Sequence, residues 1–148
     1  MSLNLAHKVY EAWRNYRYPP KHRQLKREFS NLQEYFGLHP HTKPEDRIRQ
    51  FREIANEQSR NYKRWILIGA GLTILGYGTV IFSPDIINEV KNFSEYLGRI
   101  APYIIQPVGY VLGTGGLAQL IRNLSLNSEM RDYIRYTNEK LKGPKKIV

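Results

Sequence analysis

The sequence contains no cysteine. That absence excludes a disulfide framework, a thiolate metal site and a cysteine nucleophile, and it leaves the redox compartment open. Catalytic signatures are missing too. Ser, His and Asp occur, but no nucleophile elbow, phosphate-binding loop or dinucleotide fingerprint accompanies them. His39 and His41 form the one close histidine pair, and with only Glu45 and Asp46 nearby they make a poor metal site and read as loop. No catalytic residue, metal or cofactor is expected, apart from a structural phospholipid such as cardiolipin. A cleavable signal is not expected either, because the N-terminal stretch has no apolar core of the required kind. That stretch is basic and amphipathic, weakly like a mitochondrial presequence.

Acidic residues are scarce. The 148 residues hold 13 Asp+Glu against 23 Lys+Arg, a formal net charge of +10. At this length there is one domain at most, plus tails. Such a balance suggests nucleic acid or an anionic surface as a partner. The basic run at 14–27, RNYRYPPKHRQLKR, matches no nucleic-acid-binding motif, so a membrane-proximal cationic face is the expected reading.

The most informative absence is local. No Asp, Glu, His, Lys or Arg occurs from Trp65 to Pro84, nor over the 22 residues from Ile100 to Ile121. A hydrocarbon slab about 30 Å thick needs helices of this length. From Trp65 to Phe82 the first run is apolar on every face and reaches about 27 Å at the rise of an α-helix. Tyr62, Lys63, Arg64 and Trp65 set amphipathic rings beside cations at one end of it. The second run contains Pro102, Gln106, Pro107 and Gln119, which lipid tolerates only where a neighbour satisfies them. Pro102 is expected in the first turn, Pro107 at a kink, and Gln106 bonded to a freed carbonyl or a partner helix. The competing reading of each run is a buried core helix of a soluble bundle.

Charge sorts the chain into five segments. Residues 1–64 carry 14 Lys+Arg and 7 Asp+Glu; the connector is net negative by one; the tail at 122–148 carries 7 against 3. Both basic ends therefore belong on the side of insertion, which requires two crossings. The expected architecture is all-α: a basic helical segment 1–64, a transmembrane helix 65–84, an amphipathic connector 85–99, a second transmembrane helix 100–121 and a basic helical tail 122–148. The two spans would form an integral membrane helical hairpin. In the connector, Ser83 would cap a short helix with Pro84 in its first turn and an apolar stripe at Ile86, Val90, Phe93 and Leu97.

Eight of the 11 glycines fall in the two apolar runs. Gly69, Thr73 and Gly76 on the first and Gly109, Gly113 and Gly116 on the second make small-residue stripes at i, i+4, i+7. Such stripes allow close backbone approach in lipid. These residues and Gln106 are the candidate helix-packing positions. Lys63, Arg64, Trp65, Arg99 and Arg122 are the candidate contacts to anionic lipid headgroups.

Outside the runs, Leu5, Val9, Ala12 and Tyr16 mark one helical face, and Leu25, Phe29, Leu32 and Phe36 mark a second after the break at Pro19-Pro20. Ile48, Phe51, Ala55 and Tyr62 mark a third, capped at Thr42, that runs on into the first apolar stretch. A tail helix capped by Ser128 would show Met130, Ile134, Thr137 and Leu141 and end at Gly143-Pro144.

This combination of short spans, adhesive ends and absent chemistry suggests a non-catalytic accessory subunit of a mitochondrial inner-membrane energy-converting complex, such as a respiratory-chain complex or ATP synthase. Its partners would be other membrane subunits and anionic lipid, with no nucleic acid, and both termini would lie on the matrix side. The alternatives are another organellar or bacterial inner membrane, and a homo-oligomeric membrane-shaping or translocation protein.

Overall fold

The computed structural model describes residues 3–40 and 44–142, with side chains from Leu5 onward, and every regular element among them is an α-helix. The order is α1 (Leu3–Arg17), α2 (Pro20–Leu38), α3 (Glu45–Ile81), α4 (Ser83–Phe93) and α5 (Glu95–Lys142). The chain divides into two compact units: Met1–Tyr62 with Ser125–Val148, and Lys63–Leu124.

The Pro19-Pro20 pair separates α1 from α2, since a proline restricts its predecessor to extended backbone. Pro19 has that conformation (φ −55°, ψ 150°), and Pro20 occupies the first turn of α2, where a missing N–H costs nothing. Glu45 and Asp46 open α3 with negative charge at the positive end of the helix dipole. The expected cap at Thr42 and the stop at Gly143-Pro144 lie outside the described residues.

In the first unit, α2, α3 and the C-terminal part of α5 share one core. Leu25 and Leu32 come from α2, Phe51, Ala55 and Tyr62 from α3, and Leu126, Met130 and Tyr133 from α5. Phe29 stacks on Tyr133 with ring centroids 4.2 Å apart and meets Tyr136 edge-on at 5.1 Å, both favourable aromatic geometries. An N-terminal segment of some 64 residues would be marginal alone. Here the chain's own C-terminal helix completes its core.

Three expectations about helix ends are corrected. Ser128 caps nothing: α5 is uninterrupted from Glu95 to Lys142. The apolar register Leu126, Met130, Tyr133 carries through that position and rewards continuation. Pro102 is not in a first turn, because α5 begins seven residues earlier. Its start is set by Ser94, which has extended backbone and whose Oγ accepts from the Leu97 N–H at 3.4 Å. Ser83 is not a cap either. It is the first residue of α4, buried, with Phe82 in the capping position.

Candidate functional site

The second unit is built around glycine. An ideal Cβ placed on Gly69 would lie 2.8 Å from the Leu120 nitrogen and 2.9 Å from the Gly116 carbonyl oxygen; one placed on Gly116 would lie 2.6 Å from the Thr73 nitrogen. On Gly76 it would meet the Gly113 Cα at 2.5 Å and the Gly109 carbonyl oxygen at 2.6 Å. On Gly109 it would lie 2.8 Å from Val80 Cγ2, and on Gly113 3.0 Å from the Tyr77 ring. Most of these obstacles are backbone, which has no rotamer to change. Numbers rise along α3 as they fall along α5, so Gly69 meets Gly116 and Gly76 meets Gly109 and Gly113. Thr73 lies on the same face of α3 and returns its hydroxyl to its own helix, donating to the Gly69 carbonyl at 2.7 Å.

Gly71, Gly78 and Gly115 differ: no atom lies within 4 Å of a Cβ built there. Backbone approach therefore selects one glycine set from the two in each run.

Gln106 lies elsewhere. Its Nε2 donates to Ser83 Oγ at 3.3 Å, a bond to a neighbouring helix, α4, and not to a freed carbonyl. Ala101 is buried on the same helix, and at the corner between α4 and α5 a Cβ on Gly98 would lie 2.7 Å from Lys91 Cα.

Of the candidate headgroup residues, Lys63, Arg64 and Trp65 are exposed near the base of the apolar stretch of α3. Arg99 is exposed and paired with Glu95 at 2.8 Å. Arg122 is half-buried and donates to Gln119 Oε1 at 3.3 Å. The last two thus have partners on their own helix, at the i,i+4 and i,i+3 spacings that bring side chains together.

The apolar stretches themselves are open. Both α3 and α5 are long and apolar enough to cross a membrane, and only 11% and 17% of their most apolar windows are buried. A core helix of a soluble bundle is mostly buried, so this exposure argues against that reading. Leu67, Ile74, Ile81, Tyr103 and Val111 are each more than two-thirds exposed.

The first unit holds a polar cluster absent from the sequence reading. His22 is fully buried; Nε2 donates to Glu129 Oε2 at 2.7 Å and Nδ1 lies 3.1 Å from Tyr62 Oη. Beside it Ser59 Oγ donates to Asn127 Oδ1 at 2.7 Å. These bonds satisfy groups that would otherwise be costly to bury. Burial, reinforced by the neighbouring Glu129 and Asp132 charges, pushes the Tyr133 hydroxyl up to about 12, and burial raises Tyr136 as well. Among the described residues no group of three or more His, Cys, Asp or Glu could hold a metal ion.

No family description, curated protein or solved structure matches the chain.

Proposed function

We propose that the protein is a non-catalytic accessory subunit of a larger integral-membrane assembly, anchored by a hairpin of two membrane-spanning helices. The observation that carries this reading is the seam between α3 and α5. Their glycine faces are closed against each other by backbone contact, while the remaining faces of their apolar stretches are uncharged and open. Surfaces of that kind call for lipid or neighbouring membrane subunits. Proton and ion carriers usually keep an Asp, Glu, His, Lys or Arg within the membrane, and neither run has one, which favours scaffolding over transport.

In this reading the spans fill a site at the rim of a catalytic core, and the basic segments lie together on the side of insertion. This arrangement would suit a supernumerary subunit of a mitochondrial inner-membrane energy-converting complex, with the basic ends on the matrix side. Lys63, Arg64 and Trp65 would meet anionic headgroups, with cardiolipin a suitable lipid.

Extraction of native membranes in mild detergent, followed by native electrophoresis, tests the proposal. The chain is expected to migrate with a large assembly of other polypeptides. Migration as a lone monomer overturns it. A second reading, self-assembly, draws on the open glycines Gly71 and Gly78, which share a face of α3 away from the seam. Crosslinks between copies of this chain alone would favour it.

A further inference from the structure

Four of the five helices supply buried residues, but among its described side chains, from Leu5 onward, α1 supplies none. Leu5, Val9 and Trp13 stand 49%, 58% and 53% exposed, and with Ala12 and Tyr16 they fall on one side of the helix. The opposite side carries His7, Glu11, Arg14 and Asn15, with Glu11 near both His7 (3.7 Å) and Arg14 (3.8 Å). Lys8 and Arg17 lie at the two borders between these faces. The Arg17 guanidinium reaches 5.4 Å from the centre of the Trp13 ring, an arrangement that keeps an apolar body and a cationic head side by side.

We infer that α1 docks lengthwise on the surface of a bilayer containing anionic lipid, with Leu5, Val9, Ala12 and Trp13 among the upper acyl chains and Lys8 and Arg17 at the headgroups. Three observations select this occupant. The helix has the pattern of an interfacial helix: a narrow apolar face with Trp, cationic borders and a polar back. Charge is the second. Residues 5–27 hold seven Lys+Arg and one acidic residue, a net +6, so a second copy of this surface would be repelled and an anionic one attracted. Third, Leu5, Val9 and Ala12 fill the centre of the face and the cations stand at its borders, whereas a nucleic acid would ask for cations on the contact face itself. The inference does not depend on which assembly holds the chain.

Tryptophan fluorescence of the full-length chain tests it. In a Trp65→Phe variant Trp13 is the sole tryptophan. The variant is placed in bilayer discs of phosphatidylcholine, alone or mixed with phosphatidylglycerol, with lipids brominated at shallow acyl positions as quenchers and iodide as the aqueous quencher. Trp13 is expected to be quenched by bromolipid and shielded from iodide in the anionic discs, and much less so in the neutral ones. Lys8→Gln and Arg17→Gln should each lower the ratio of docked to undocked helix about fivefold. Neither contributes to the core, so the fold should be retained.

Trp13 open to iodide in both discs overturns the inference, as does equal bromolipid quenching in both. Shielding from iodide without bromolipid quenching also overturns it, because protein then covers the face. The converse variant, Trp13→Phe, reports Trp65 at the base of the first span. Quenching at Trp13 but not at Trp65 would sink the spanning proposal and leave this inference standing.

Discussion

A buried histidine with both ring nitrogens engaged is a commitment, because losing the ring strands two partners. His22→Leu should destabilise the chain by about 1–3 kcal/mol, the cost of leaving Glu129 and Tyr62 without their bonds. Urea melts of the full chain in detergent would show it, and an unchanged midpoint would mean the cluster contributes nothing. Tyr133 provides a second residue-scale expectation. Its hydroxyl is held at about 12 in the fold against an ordinary 10, so the folded state keeps a proton that the unfolded state releases. The stabilisation is therefore complete below pH 10 and lost as pH rises from 10 towards 12. Tyr133→Phe should blunt that alkaline loss, measured as stability against pH. Neither feature was legible in the sequence. His22 sits in a run of Lys and Arg, and its partners lie 40 and 107 residues away, so nothing local marks it as buried.

At the scale of elements, the seam makes a sharper demand than composition does. Gly76→Ala drives a methyl against the Gly113 and Gly109 backbone and should cost about 1–3 kcal/mol. Gly71→Ala meets open space and should be neutral or gain up to about 1 kcal/mol from lower backbone entropy. Thermal melts of the two variants in one detergent compare them directly, and equal losses would refute a seam-specific role. Here the sequence was informative: spacing at i, i+4, i+7 singled out the glycines that backbone approach requires. Apolar periodicity likewise marked Ile48, Phe51, Ala55 and Tyr62, all buried. Helix ends were harder to read. Ser94, which caps α5, and Ser128, which caps nothing, are alike as residues, and only the continuing contacts of Leu126, Met130 and Tyr133 decide between them. The stripe on α1 was legible as a face, but nothing in a stripe reveals whether its own chain will cover it.

At the scale of the molecule, the exposed apolar stretches call for a low-dielectric surrounding. Ile74 is 72% exposed, so Ile74→Lys would be harmless in water but should cost about 2.5–3.5 kcal/mol at the centre of a bilayer. Assays of membrane insertion distinguish the two, and undiminished insertion would count against spanning. Placement of the ends can be examined separately: protease added to sealed vesicles should cut both basic segments from one side and the connector from the other.

The bond from His22 to Glu129 also has a meaning in time. At about 5–20 residues per second, on the order of 5–20 s separates the synthesis of the two residues. Throughout that interval Leu25, Leu32 and Phe51 lack their third wall, and both apolar runs must emerge before it arrives. The early part of the chain thus has to be kept from aggregating until its last helix is made, and under the proposed spanning, prompt delivery of the runs to a membrane becomes a condition of completing the core at Leu25, Leu32 and Phe51.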